Sequence, residues 1–467
     1  MKIFRFKRGG VHPASDKERT AGMAPVELAQ PDQLTILTSQ SIGAPSRVCV
    51  AVGASVARGQ KIAEAGGFVG ADIHSPADAV VKRIEKMRDL SGYWQDAIVL
   101  EVDKAADTAD GEATDMAGLP DYFIDFPERD FAAKLREISA EEIVKATADA
   151  GIVGMGGAAF PTRVKLTVTP QRRIEFMLLN GAECEPCLTC DDRMMRQRPE
   201  DILRGALLMA KACGARTIIV GIEANKPEAL AAMREAAERL QPLAAEINRT
   251  ISVCTLRTRY PQGSEKQLIE ALTDRIVPTG GLPADAGCLV DNVATAFALY
   301  QAVMGGVSLT RRIVTVTGPE LQSPGNFIVD CGTTYRALIE AAGGMPEDTE
   351  KVISGGPMMG RAVANLDAPV VKATSGVVVM PREMAHRRSP EPCIRCAKCV
   401  EVCPMGLEPY MLLRLSELHL SLESEARGVM NCLECGCCSY ICPSDRPLLD
   451  GIRLTKGIIK RNHSSKK

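Results

Sequence analysis

The sequence predicts a multidomain α/β chain: an N-terminal barrel–sandwich hybrid, a Rossmann-like α/β domain, a β-grasp domain and a small C-terminal α-helical module. Three observations carry that reading. Short apolar stretches broken by glycine fill residues 41–100 and return in 313–385. Strand-like and helix-like stretches alternate between 151 and 300. Eight cysteines near the C-terminus fall into two identical runs.

The 467 residues leave room for about three domains. Hydrophobic residues make up 46%, and 56 basic residues stand against 58 acidic ones, which suits packed globular domains and gives no reason to expect nucleic-acid binding. No apolar run approaches the ~18 residues that span a bilayer. The basic start, Met1-Lys-Ile-Phe-Arg-Phe-Lys-Arg8, lacks the apolar core of a signal peptide, so a cytosolic chain with reduced thiols is expected.

Taken in order, residues 1–102 form the first unit. Val48 to Ile62 and His74 to Ile84 read as two related β half-motifs with turns between them, as in lipoyl and biotinyl carriers. The tip between them, Ala65-Gly-Gly-Phe-Val-Gly-Ala-Asp72, has no lysine to modify, which points to docking instead. Residues 103–125 read as a linker rich in Asp, Ala and Gly. The domain at 126–312 opens with a helical stretch over 131–150. Strands follow at 174–179, 217–222 and 251–256, with helices at 199–213 and after Asn225, a candidate N-cap. Alternation of this kind implies a parallel sheet with ligands at its C-terminal edge, where Asn180-Gly181 and Tyr260-Pro-Gln-Gly263 lie. Residues 313–385 read strand, helix, strand, with a helix at 334–342. Residues 386–467 hold the cysteine runs, Met411, Leu415, Leu418 and Leu422 at helical spacing as core, and His419 as a surface or packed histidine. The tail carries Arg453, Lys456, Lys460, Arg461, Lys466 and Lys467 with no acid after Asp450, either a solvated end or a basic anchor.

The runs are Cys393-x2-Cys396-x2-Cys399-x3-Cys403-Pro and Cys432-x2-Cys435-x2-Cys438-x3-Cys442-Pro. This is the bacterial ferredoxin spacing, in which each fourth cysteine ligates the other run's cluster. Cys393, Cys396, Cys399 and Cys442 are expected on one [4Fe–4S] cluster, and Cys432, Cys435, Cys438 and Cys403 on the other. Zinc sites instead show paired CxxC motifs. Cys437 is a spectator, and Cys49, Cys213, Cys254, Cys288 and Cys331 are small buried hydrophobes. Cys184-x2-Cys187-x2-Cys190 repeats the first three spacings without a fourth cysteine, and reads as ordinary thiols or a third cluster.

The Gly154-x-Gly156-x-x-Ala159 loop follows a helix, so it fails the strand-first context of a dinucleotide fingerprint. It suits a flexible turn or a backbone cradle for phosphate, with Lys165 adding charge. Met155-Gly-Gly-Ala-Ala-Phe-Pro-Thr-Arg-Val-Lys165 resembles the flavin loop of the NADH-binding flavoprotein subunit of respiratory complex I. Asn180-Gly-Ala-Glu-Cys-Glu-Pro186 and Val290-Asp-Asn-Val-Ala-Thr295 are similar to two further elements of that family. Gly9-Gly-Val-His-Pro13 and Gln40-Ser-Ile-Gly-Ala-Pro45 look like signatures of the RnfC family of Rnf electron-transport complexes, whose domain order also matches. That resemblance implies a barrel–sandwich hybrid, a Rossmann-like flavoprotein domain, a β-grasp (SLBB) domain and a C-terminal α-helical ferredoxin domain.

It further implies that Gly154, Gly156, Gly157 and Lys165 hold FMN phosphate, and that Asn180, Glu183, Asn292 and Thr295 surround the flavin. Phe160 and two candidate catalytic residues, Glu185 and Glu265, would face NAD(H). Ala182, Ser264 and Asp291 depart from the complex I pattern. The implied protein is a peripheral member of a membrane complex on its cytoplasmic face, exchanging electrons between NAD(H) and ferredoxin or flavodoxin, coupled to ion translocation. A soluble FMN/iron–sulfur reductase similar to cobalamin reductase is one alternative, and a non-enzymatic ferredoxin-type scaffold is another.

Overall fold

A computed structural model describes residues 2–103, 122–169 and 172–464. Its centre is a five-stranded, wholly parallel sheet in the order Ile3–Phe4, Thr250–Leu256, Thr217–Glu223, Phe176–Gly181, Cys288–Asn292. Met177, Leu178, Leu179, Ile218 and Val220 are buried on both faces, which is why these strands are continuous apolar runs. The chain winds from Phe176–Gly181 outward in one direction, then returns so that Cys288–Asn292 lies on the other side of Phe176–Gly181. That reversal opens a crevice at the C-terminal strand ends, where ligands bind in open parallel sheets.

Helices Pro199–Cys213 and Val293–Gly305 pack together on one face, and Glu265–Thr273 covers the other with Leu268, Ile269 and Leu272. The 131–150 stretch is two helices, Glu128–Glu137 and Ala140–Asp149. The break falls at Ser139, which forms a reciprocal capping box with Glu142. Asn225 caps nothing: helix Pro227–Glu246 starts behind Lys226, whose ammonium is drawn instead to the carbonyl of Ala182 and the side chain of Asn225.

The barrel–sandwich unit closes a four-stranded sheet (Gln33–Leu37, Trp94–Val102, Ala79–Arg88, Ser55–Val56) over a three-stranded one (Arg47–Val48, Lys61–Glu64, Ile73–His74). Leu34, Ile36, Ile62, Ile73, Ile98 and Leu100 fill it. Its lysine-free tip docks on the α/β domain. Arg163 donates to the Phe68 carbonyl (2.7 Å), and the Ile42 amide donates to the Ala159 carbonyl (3.1 Å). Gly43 sits at φ +111°, where a Cβ would lie 1.9 Å from the Val69 carbonyl oxygen. Residues 3–27 lie outside this barrel. Ile3–Phe4 extends the parallel sheet, and Val26–Glu27 pairs with Gly325–Asp330.

The linker reading falls mostly on 104–121, outside the described residues. Its end is packed: Tyr122 and Phe123 meet Phe297 with ring centroids 5.5 and 5.8 Å apart. The β-grasp unit runs Arg311–Thr317 antiparallel to Gly325–Asp330 and parallel to Gly376–Pro381, with helix Tyr335–Ala341 capped by Thr334.

In the C-terminal module, Leu415 is buried, but Leu418 (48% exposed) and Leu422 (76%) are not, and Met411 is half-buried. Helix Pro409–Glu417 ends before Leu418, and His419 at φ +58° turns the chain, so the spacing spans two helices. Leu412 and Leu413 supply the core instead. His419 is exposed. The basic tail lies largely in helix Leu448–Ser464, where Arg453 and Lys456 both bind Glu434; Lys466 and Lys467 lie outside the described residues. Cys49 is exposed and Cys254 half-buried, whereas Cys213, Cys288 and Cys331 are buried as expected. Among the described residues no helix is long and apolar enough to cross a membrane.

The contact between helices Pro199–Cys213 and Val293–Gly305 depends on Gly205, where a Cβ would lie 1.9 Å from the Ala296 carbonyl oxygen. Gly205→Ala should therefore destabilise the protein by about 3 kcal/mol, the upper end for overpacking, read as a lowered thermal midpoint. An unchanged midpoint would contradict this packing.

Candidate functional site: a crevice beside two thiol cradles

Two asparagines mark the crevice. Asn180 and Asn292 are register partners at the ends of adjacent parallel strands. Asn180 donates to the Gly263 carbonyl (2.8 Å) and accepts from the Ala182 amide (3.2 Å), which fixes both turns leaving that edge. Asn292 caps helix Val293–Gly305 through the Ala294 amide (2.8 Å) and donates to Asp191 (2.6 Å).

The glycine loop lies across this edge. The Met155 amide donates to Thr295 Oγ1 (2.9 Å), and the Gly154 amide to the Phe160 carbonyl (2.8 Å). Gly154 therefore shapes the loop, since its donor is already used. Gly157, at φ +109° with open space where a Cβ would be, is the position whose backbone requires glycine. Gly156 packs over Asn292. Half-buried Phe160 follows on the same loop.

Lys165 reaches the Val290 carbonyl and Glu265, each at 2.9 Å. Burial opposes the charge on Lys165, but Asp291 and Glu265 outweigh it and hold the ammonium above its ordinary range. Burial likewise pushes the Asp291 carboxyl up, against the pull of Lys165. The departure at Asp291 is thus matched by a local cation. Glu265, at the start of its helix, keeps about half of its side chain in solvent.

Glu183 accepts from the Asp191 amide through Oε1 (2.7 Å), while its buried Oε2 has no hydrogen-bond partner. Burial raises its carboxyl to about 7, countered by Lys17 and Lys226. Buried Oδ2 of Asp291 is also unpartnered. Unsatisfied buried acceptors beside an open glycine turn and a lysine are what a bound polar cofactor such as FMN would complete, so the residues fit that group.

The structure does not join Glu185 to Glu265. Glu185 Oε2 accepts from the Met358 amide in the β-grasp turn (3.0 Å), and a Cβ on Gly356 would lie 2.2 Å from the same oxygen. Burial raises the Glu185 carboxyl to about 7, against help from the Met358 and Met359 amides and Lys17. Glu185 thus sits where three domains meet, beside Tyr260, which the sequence places at the sheet's C-terminal edge without assigning it a role. The Tyr260 hydroxyl donates to the Cys435 carbonyl (2.8 Å), so the crevice edge touches the cysteine module directly.

That module holds two cavities. One, of about 190 Å³, is lined by Cys393, Cys396, Cys399 and Cys442. The other, of about 20 Å³, is lined by Cys403, Cys432, Cys435 and Cys438, with Cys437 turned to the Tyr260 carbonyl at 3.9 Å. Each cavity takes three thiols from one run and one from the other. Arg395 and Ala397 are left-handed in the first run, as are Glu434 and Gly436 at the equivalent places in the second. The Leu407 amide donates to Cys403 Sγ and the Glu434 amide to Cys432 Sγ, both at 3.3 Å, the kind of bond that tunes a cluster's potential. Cys393 and Cys396 are exposed, whereas Cys435 and Cys438 are buried. The cradle touching Tyr260 is therefore the inner one.

Cys184, Cys187 and Cys190 do not converge. Cys184 packs with Tyr260, Cys187 with Ile353 and Val378, and Cys190 in the main α/β core. Cys187 at φ +70° throws the thiols apart, so they are ordinary thiols.

Family comparisons match four segments. Residues 4–105 match the RnfC barrel sandwich hybrid domain and 147–301 the Nuo51 FMN-binding domain. Residues 313–362 match the SLBB domain and 385–443 the 4Fe-4S dicluster domain. The chain is 39% identical to the C subunit of the proton-translocating ferredoxin:NAD(+) oxidoreductase complex of Clostridium ljungdahlii, covering 90% of this chain and 86% of that one. It is 37% identical to the C subunit of the Na(+)-translocating ferredoxin:NAD(+) oxidoreductase complex of Acetobacterium woodii, over 96% of both. It is 38% identical to the C subunit of the ion-translocating oxidoreductase complex of Rhodobacter capsulatus, over 98% of this chain and 84% of the relative. Among solved structures, an NAD+-reducing [NiFe]-hydrogenase in the H2-reduced state shares the fold (TM-score 0.50, 21% identity, 68% of this chain and 61% of that one).

Two outcomes follow from this geometry. If the fourth cysteines are exchanged, Cys393 and Cys442 serve one cluster. The double variant Cys393→Ser/Cys442→Ser should then keep about four of about eight irons; unexchanged wiring would lose nearly all. For Glu185, a folded pKa of about 7 above the ordinary 4.5 means the carboxyl binds its proton more tightly folded than unfolded. That stabilisation is complete below about pH 4.5 and lost as pH rises through 7. Glu185→Gln should therefore stabilise the cofactor-free protein by up to about 3 kcal/mol near pH 8 and leave it unchanged near pH 4, read by denaturant unfolding. Parallel curves for the two proteins would refute this.

Proposed function

The chain belongs to the RnfC family, the C subunits of ion-translocating ferredoxin:NAD(+) oxidoreductase complexes, and on that premise we propose that it is their NAD(H)-binding electron-transfer component. The carrying observation is the direct contact between crevice and inner cradle through Tyr260 and Cys435. FMN, when bound, can accept a hydride and release electrons singly, which [4Fe–4S] clusters require.

Each side chain then has a task. Gly156, Gly157 and Lys165 receive the FMN phosphate on a loop shaped by Gly154, and Lys165 keeps its charge because Asp291 and Glu265 face it. Asn180, Glu183, Asn292 and Thr295 would hold the isoalloxazine, and Glu183 would offer it a free acceptor. Phe160 and exposed Glu265 face the nicotinamide nucleotide. Glu185 acts instead at the domain junction, where it fixes the β-grasp turn against the cysteine module. Cys403, Cys432, Cys435 and Cys438 hold the cluster next to the flavin, and Cys393, Cys396, Cys399 and Cys442 hold the one that faces a partner. The contact between Tyr260 and Cys435 would keep a bound flavin and the inner cluster on adjoining parts of the protein, as electron transfer between them requires.

The partners are the other subunits of a membrane complex, with ferredoxin or flavodoxin reached through one of them, and the place is the cytoplasmic face, as a peripheral protein. Anaerobically purified protein should carry about one flavin and about eight irons per chain, and NADH should bleach the flavin. Glu265→Gln should raise KM for NADH by about tenfold, the effect of one charge-assisted hydrogen bond, measured on flavin-saturated protein. Flavin that stays oxidised under excess NADH would overturn the reading.

A further inference from the structure

The turn from Ala182 to Asp191 carries Glu183 into the crevice, and its backbone is unusual. Glu183 and Cys187, neither a glycine, have φ of +45° and +70°. Such residues persist only where their surroundings over-determine them. The turn's inward carbonyls also need donors.

Two buried ammonium groups supply them. Lys226, on the α/β domain itself, donates to the carbonyl of Ala182 (2.8 Å). Lys17, from the N-terminal segment, donates to the carbonyls of Glu183 (3.0 Å), Glu185 (2.9 Å) and Leu188. All three of its donors are used on backbone, and the side chain is nearly buried. The segment around it is tied down on both sides. The Cys187 amide donates to the Ser15 carbonyl (2.8 Å), Thr189 Oγ1 to Thr20 Oγ1 (2.8 Å), and Arg19 to the Pro319 and Leu321 carbonyls of the β-grasp unit (2.7 and 2.6 Å). The carboxylate that faces Lys17 is Glu183, whose unpartnered Oε2 lies 3.8 Å from the ammonium, too far for a hydrogen bond. The lysine's charge therefore acts beside the crevice.

We infer that Lys17 is a positioning residue of the flavin site: it holds the turn that presents Glu183 and places a fixed positive charge where reduction of the cofactor adds negative charge. This rests on the flavin reading above. It assigns to the N-terminal segment a part in a site whose proposed cofactor-holding residues all lie in the α/β domain.

The test compares the full-length chain with Lys17→Met and Lys17→Arg, measuring FMN affinity by fluorescence and the two-electron flavin potential by anaerobic titration. Lys17→Met should bind FMN about tenfold more weakly and shift the potential negative, since both the shaped turn and the charge are gone. Lys17→Arg should keep the potential near wild type. Its planar fork cannot donate to three converging carbonyls, so FMN affinity should still fall. Iron content should stay at the wild-type value in both, separating a local effect from misfolding. A wild-type potential and affinity in Lys17→Met overturn the inference. If that variant does not fold, undiminished FMN affinity in Lys17→Arg overturns it. A wild-type chain that binds no FMN overturns the flavin reading with it.

Discussion

The need to satisfy backbone carbonyls inside a turn governs the centre of this molecule. The Phe176–Gly181 strand ends in a crevice, and the chain must leave it by a tight, partly left-handed path. Buried carbonyls without donors are costly, so the path exists only because Lys17 and Lys226 reach into it. Those two groups come from the N-terminal segment and a helix start. Domains that read as separate modules are therefore joined at one small knot of backbone.

The same economy recurs at two other buried cations. Lys372 of the β-grasp unit donates to the carbonyls of Asp72 and Gly151, both at 2.7 Å, tying the barrel–sandwich tip to the α/β domain. Arg312 is fully buried and reaches the carbonyls of Lys372 and, at 3.4 Å, Met155 in the glycine loop. Ammonium and guanidinium groups on backbone oxygens add to the apolar contacts between the domains, such as Cys187 against Ile353 and Val378. The polar contacts are directional, so they set relative placement as well as cohesion.

Legibility in the sequence follows interaction range. The two cysteine runs were readable because a cluster imposes its ligand spacing locally, and the cavities bring together the exchanged sets that the spacing implies. The parallel sheet was readable because both its faces are buried. Asn180 and Asn292 were found through motif resemblance, and they do meet at the strand ends. Leu418 and Leu422 failed because periodicity cannot see a helix stop set by one left-handed residue, His419. Cys184, Cys187 and Cys190 copied a ligand spacing, yet the turn sends each thiol into a different core. Lys17 left no local signal, and the turn at Tyr260 showed its place at the sheet edge but not its contact with Cys435, since the partners of both lie far along the chain. Glu185 carried a motif, but the motif did not encode the β-grasp turn that engages it.

The crossed closure of the two cradles has a bearing on biogenesis. The outer cradle draws its last thiol from Cys442, in the second run, while the inner one reaches back to Cys403 in the first. A ribosome releasing this chain would expose Cys393, Cys396 and Cys399 well before the residue that completes their set. Neither inorganic core can be sealed in until the second run has been made, so a product that stops between the two runs would be left with the open thiols of the first.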